Sequence, residues 1–210
     1  MSQRVFSAAQ LAADAELERS QVAVLTREGV LQPLPDFKHP GRGASRVYGW
    51  SEAVVARVSA QMIKRFNIPI RSLLQLSSIL RPILQAPDTY DVHNIAEARA
   101  IRHAVSLRRD PRYDRQGILD SVSSEFGLDK TRAADIVRRA KSLTPGESVE
   151  LDYWADIEEA RQDKKMHFIW LRSTHEGVGG FSLRSVESMK TAHYDPVAVV
   201  IDVGSLLQGL

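Results

Sequence analysis

The chain of 210 residues contains no cysteine. That excludes disulfides, thiolate metal sites and thiol redox chemistry, and it suits a reducing compartment. No apolar run approaches the ~18 residues that a membrane-spanning helix needs. The opening MSQRVFSAAQL lacks the apolar stretch of a secretion signal and reads as the start of a folded helix, so a cytoplasmic protein is expected. Catalytic signatures are missing as well. There is no G-x-S-x-G, no pair of acids on a suitable frame and no nucleophilic cysteine, so the chain is not expected to be an enzyme or to carry a cofactor. The six histidines, His39, His93, His103, His167, His175 and His193, include no i,i+4 pair and no adjacent carboxylate cluster, so no metal site is expected. GVGG lacks the strand–glycine–helix context of a phosphate cradle and predicts a hairpin turn.

What is present is an ordinary globular composition, 43% apolar and 26% charged. The net charge of +2 hides an asymmetry. Residues 1–82 hold 11 Lys/Arg against 6 Asp/Glu, whereas the remainder holds 17 against 20. A basic head facing a polyanion and a slightly acidic body with another task would have this distribution.

Ser7 predicts the cap of a short helix, AAQLAAD, with Ala8, Leu11 and Ala12 inward. After a turn at Ala15-Glu16, a second helix is predicted over 18–28, with Val22, Leu25 and Val24 inward and Gly29 closing it. Pro33 and Pro35 forbid further helix. DFKHPGRGASRVYGW predicts a β-hairpin with arms at 34–38 and 46–50 and a tip carrying Lys38, His39 and Arg42. Ser51 then caps SEAVVARVSAQMIKRF, and IRSLLQLSSIL makes a fourth helix. Pro82 and Pro87 mark a boundary that separates a head, 1–82, from a body, 88–210. In the body, helices are predicted over 93–108, in QGILDSVSSEF, in DKTRAADIVRRAKSL and over 153–163, with TPGE as a turn. MHFIWLR, Phe181-Ser182-Leu183 and VAVVID are strand candidates. Trp154, Trp170, Phe168 and Phe181 are expected to build core rather than line a ligand pocket.

Helix, tight turn, helix and basic hairpin together describe a winged helix-turn-helix. Its second helix fits the major groove of B-DNA and its hairpin tip reaches the neighbouring backbone. On that frame Arg19, Ser20 and Gln21, in the first turn of the second helix, are the candidate base readers, with Ala23 and Thr26 also groove-side. Lys38, Arg42 and Arg46 are candidate phosphate contacts. Arg27 is either a phosphate contact or half of a helix-end pair with Glu28. Arg46 has the alternative of an ion pair with Glu28 or Glu52, and Tyr48 is either a contact or a core anchor.

Thr26-Arg27-Glu28-Gly29-Val30-Leu31, Ser45-Arg46-Val47-Tyr48 and Ser51-Glu52-Ala53-Val54 resemble, in that order and spacing, the N-terminal domain of the mercury-resistance-regulator (MerR) family. The resemblance covers roughly residues 4–80. It implies a MerR-like winged helix-turn-helix at the N-terminus, and with the helices and strand candidates read from the body the expected fold is α+β, a winged head followed by a mostly helical body ending in a small β-sheet. It further implies a bacterial transcriptional regulator that binds double-stranded DNA as a homodimer at promoters and engages RNA polymerase or another protein through the C-terminal domain. Typical members have a basic residue and paired tyrosines where this helix has Ala23, Val24 and Leu25. A recombination accessory of the excisionase kind, or a protein adaptor that has lost DNA binding, are the rival expectations. The basic helix after FGLDKT is expected to be a packing module with a solvated outer face, with a second DNA reader as the alternative.

Overall fold

The computed structural model describes residues 5–35, 46–163, 167–174, 177–185, 198–202 and 206. Two compact units divide the chain, residues 1–81 with 160–210, and residues 82–159.

The first unit starts with β1 (Phe6–Ser7), α1 (Ala8–Asp14) and α2 (Arg19–Arg27), followed by β2 (Val47–Tyr48), α3 (Trp50–Phe66) and α4 (Ile70–Tyr90), the last of which continues into the second unit. Ser7 caps α1 by accepting from the backbone N–H of Gln10, and the Gln10 side chain returns the bond to the N–H of Ser7 at 2.8 Å. Gly29 ends the second helix at φ +80°, a left-handed conformation that disfavours any residue with a Cβ. Two short apolar sets are buried here: Leu11, Val22 and Leu25 from the first two helices with Val30 and Leu31 from the segment after them, and Val54, Val55, Val58 and Met62 from α3. Ala53, Ala56 and Ala60 keep α3 slim among them.

Charge fixes this packing. Glu52, only 3% exposed, accepts from Arg81 Nε at 2.6 Å and from the N–H of Gln32 at 2.8 Å. Arg81 Nη2 also donates to the carbonyl of Val30 at 2.8 Å. Arg57 grips Asp14 through two bonds, of 2.7 and 2.8 Å, tying α3 to α1. Its Nη1 donates to the carbonyl of Leu206 at 2.5 Å.

The strands β3 (His167–Thr174), β4 (Gly177–Ser185) and β5 (Ala198–Asp202) form an antiparallel sheet in the order β4-β3-β5. The second unit is entirely helical. It comprises the end of α4, then α5 (Ile95–Leu107), α6 (Arg115–Phe126), α7 (Lys130–Ala140) and most of α8 (Pro145–Asp163). Its core holds Ile101, Val105, Val122, Ile136, Leu151, Trp154 and Ile157. Arg99 joins α5 to α8 through Asp152, Asp156 and Glu159, and Arg139 joins α7 to Glu97 at 2.6 Å. Burial works against the charge of Arg99, but the hydrogen bonds and charge of Asp156 and Asp152 outweigh it and raise its pKa.

The expected architecture is therefore overturned. The chain is predominantly helical, with eight helices among the described residues, and it does not divide into a winged head and an α+β body, because the sheet β4-β3-β5 belongs to the first unit and the second unit is helical throughout. In the N-terminal part the only ladder among the described residues is two residue pairs long, and it does not join the two predicted arms. Phe6 pairs with Tyr48 and Ser7 with Val47. Burial explains the choice, since this pairing hides Phe6 and Tyr48 at 5% and 1% exposure. The first predicted arm contributes one bond, from the N–H of Leu34 to the carbonyl of Val47, and the rest of it and the tip lie outside the described residues. Helix also runs where breaks were expected. The fourth helix passes through both Pro82 and Pro87, and the eighth begins at Pro145, two turns before the predicted start. GVGG lies inside β4 rather than in a turn.

Two stability measurements test this account. Arg81→Ala strands a buried carboxylate and is expected to cost about 3–5 kcal/mol in urea unfolding. Arg57→Ala should cost less, because Asp14 is 20% exposed; equal losses would contradict the assigned hierarchy. The second concerns pH. Hydrogen bonding from the Thr144 side chain, then from its backbone N–H, holds the Glu147 carboxyl below its usual range. A depressed folded-state pKa adds stability above the unfolded value, about 4.3, and that stability is lost as pH falls through the folded value. Glu147→Gln, whose amide oxygen still accepts, should flatten the acid limb of the thermal-midpoint curve below about pH 4.3. An unchanged limb would remove Glu147 from the account.

Candidate nucleic-acid interface

α2 presents one packed and one open face. Val22 and Leu25 are each 1% exposed, while Arg19, Ser20, Ala23 and Arg27 are exposed and, at helical spacing, share the opposite side. The apolar middle of this helix is thereby divided: Leu25 belongs to the core, Val24 is half-buried, and only Ala23 faces outward. A single methyl at the centre of the open face lets the helix backbone approach a partner closely.

The first turn is held by its own side chains. Glu18 donates its backbone N–H to Gln21 Oε1 at 2.8 Å, and Ser20 Oγ donates to Glu18 Oε2 at 3.0 Å. Gln21 thus spends its carbonyl on the helix cap and keeps its amide donors for another acceptor. Arg19 makes no ion pair with another described residue. Arg27 Nε donates to Glu28 Oε1 at 2.9 Å, the helix-end pair that its neighbour offered. With the Arg27 side chain 72% exposed, that pair is weakly held.

Tyr48 is not a surface contact. It is 1% exposed and its hydroxyl meets Thr26 Oγ1 at 2.9 Å. Thr26 in turn donates to the carbonyl of Val22 at 2.8 Å. Both residues therefore orient α2 from behind, and the groove-side expectation for Thr26 gives way to this role. Arg46 is exposed at the start of the strand that carries Tyr48. It pairs with neither alternative partner, since buried Glu52 is taken by Arg81 and Glu28 lies against Arg27. Lys38, His39 and Arg42 lie outside the described residues.

Elsewhere two clefts open beside α7. One, of about 440 Å³, is lined by His93, Asn94, Glu97 and Arg132 among others. The other, of about 400 Å³, lies between α6 and α7. Neither holds a recognisable catalytic set. His103 and Ser121 are 3.0 Å apart, but His103 also stacks edge-on against Phe126 and lines neither cleft, so the pair ties α5 to α6. Among the described residues no group of three His, Asp or Glu side chains is placed to hold a metal, and no helix is long and apolar enough to cross a membrane. No protein-family model, curated protein or solved structure matches the chain.

Tyr48→Phe removes one part-buried hydroxyl contact and leaves Thr26 its bond to Val22. It should lower stability by about 1 kcal/mol without changing the salt dependence of any DNA binding, which fluorescence anisotropy across a salt series would measure. A shallower salt slope would instead make Tyr48 a phosphate contact.

Proposed function

We propose that the protein is a sequence-specific DNA-binding regulator that reads duplex DNA with α2. The observation that carries this reading is the open face of that helix. Arg19 and Arg27 stand near its ends, Ser20 beside the first and Ala23 between, with no carboxylate inside the helix. Cations at the ends match phosphates on either side of a groove, and small or hydrogen-bonding groups between them match base edges. Arg46, exposed and without an ion pair among the described residues, suits a flanking phosphate. Ser20 and the free amide of Gln21 are the base readers, Arg19 reads a base at the specific site and rests on phosphate on other sequences, and Arg27 reaches phosphate by releasing Glu28.

The resemblance of the Thr26–Leu31 turn and the residues around Arg46 to the MerR family adds a function to this reading: a homodimer in the cytoplasm that acts at promoters, in contact with RNA polymerase or another protein. It is not an enzyme in this reading. The reading requires no wing, only the paired helices and Arg46. A protein adaptor is less favoured, because the apolar middle of α2 that suggested it is largely accounted for by Leu25 in the core.

The test is binding to a labelled 30-base-pair random-sequence duplex across a salt series. Arg19→Ala and Arg46→Ala should each flatten the slope of log K against log salt by about 0.9. Slopes that stay within error of the parent in both variants would remove α2 as the reading helix.

A further inference from the structure

α7, in the other compact unit, offers the same outward pattern as α2. The nine residues RSQVAVLTR and the first nine of α7, KTRAADIVR, agree in type at four exposed positions. The first position is Arg19 or Lys130, the second Ser20 or Thr131, the fifth Ala23 or Ala134, and the ninth Arg27 or Arg138. All eight are exposed. The fourth and seventh are the buried pairs Val22 with Leu25 and Ala133 with Ile136. Lys141 extends the cationic side by one more turn and is exposed.

The setting is a second helix-turn-helix. α5, α6 and α7 pack against one another, and α6 passes to α7 through three residues. Gly127 ends α6 at φ +61°, and Asp129 caps α7 by accepting from the N–H of Arg132 at 2.9 Å. Between them Leu128 is clamped from both sides. It donates its N–H to the carbonyl of Ser123 at 3.0 Å and accepts from Ser123 Oγ at 2.6 Å. The turn is therefore fixed rather than loose. Beside it, the cleft of about 400 Å³ between α6 and α7 is lined by Arg115, Thr131, Ala134, Arg138 and Lys141.

One further fact separates this face from a merely solvated one. The basic residues of α7 are sorted by direction. Arg139 turns inward to Glu97 and to the carbonyls of Tyr90 and Asp91, and Arg132 borders the other cleft. Lys130 and Lys141 make no ion pair with another described residue. α2 and α7 have no acid in the first turn and begin on a cation, as α6 does with Arg115, and the carboxylates at their N-termini are the caps Glu18 and Asp129.

From these observations we infer that α7 is a second duplex-DNA-contacting helix, with Lys130, Arg138 and Lys141 on phosphates, Arg115 beside them, and Thr131 and Ala134 toward the groove. Asp135 is the carboxylate lining the cleft beside them. It pairs with Arg138 and Arg139 in the free protein, and Arg138 leaves it when phosphate takes its place.

The test uses the full chain and the same 30-base-pair random duplex, in anisotropy titrations across a salt series, with circular dichroism to verify folding. The triple variant Lys130→Ala, Arg138→Ala, Lys141→Ala should lose affinity and flatten the salt slope by roughly 2.7, or 0.9 for each phosphate contact removed. Arg132→Ala, equal in charge change to one of these but off the face, should leave the slope unchanged. A folded triple variant with the parental slope overturns the proposal, as does an equal effect from Arg132→Ala, which would mean diffuse charge only. Tighter binding to a single-stranded RNA of the same length, lost in the triple variant, also overturns it in favour of an RNA surface. The α2 variants in the same assay keep the two readings apart. Loss only in Arg19→Ala and Arg46→Ala rejects α7 and retains α2, and the reverse rejects α2 and retains α7.

Discussion

The buried pairing of Arg81 with Glu52 is the constraint on which the first unit depends. Three segments converge on it: the segment after α2 through Val30 and Gln32, the start of α3 through Glu52, and the middle of α4 through Arg81. Taking two charges out of water is unfavourable unless each is satisfied from several directions. Here the carboxylate accepts from Arg81 and from a backbone N–H, and the guanidinium spends its remaining reach on a backbone carbonyl. A lysine could not reproduce this, because it lacks the planar fork that serves two acceptors at fixed angles. Because Val30 and Gln32 follow directly on α2, the pair also sets where that helix ends. Tyr48 holds Thr26 and so sets the rotation of the helix. The direction of its open face is a consequence of buried chemistry behind it.

The same device recurs in the second unit with less burial. Arg108 donates to the carbonyls of Ala140 and Leu143 beyond the end of α7, where a helix leaves its last carbonyls without partners. Arg139 and Arg99 bridge helices through carboxylates. Inward arginines thus act as connectors, and each is met by a carboxylate, backbone carbonyls or both. This division explains why the total charge of the chain is so uninformative. Part of the basic content is structural, as Arg57, Arg81, Arg99, Arg108 and Arg139 show.

Helices with strong local signals were legible in the sequence. Ser7 ahead of AAQLAAD, Gly29 after α2 and Gly127 after α6 mark ends that the structure repeats within a residue or so. Leu11, Val22 and Leu25 were identified as inward by period alone. What failed shares one cause, competition between a local signal and packing. Pro82 and Pro87 each remove an N–H from α4, yet Leu80, Ile83, Leu84 and Ala86 around them are buried, so continuing the helix gains more than the lost bonds cost. TPGE reads as a turn, but Thr144 and Glu147 bond reciprocally as a capping box, with proline at the first helical position where no donor is needed. The two-residue ladder of β1 and β2 was not legible, because pairing with the distant Phe6 is a long-range choice. At the candidate site, the exposure of Arg19 and Ser20 followed from periodicity. The burial of Tyr48 and Thr26 required knowing which element lies behind them.

Positions that a core demands say little about a partner, because any helix packed on its neighbours needs Val22 and Leu25, or Ala133 and Ile136. Positions that meet only solvent are free of that demand. There intrinsic propensity favours alanine or long straight side chains, and the dipole favours acids in the first turn. In α2 and α7 the central alanine and the cation at the ninth residue follow those preferences, whereas a cation first and a hydroxyl second depart from them at the same offsets. Packing does not ask for those two. A partner with negative charge at helix-end spacing and a surface that a small residue can approach does ask for them, and duplex DNA has both.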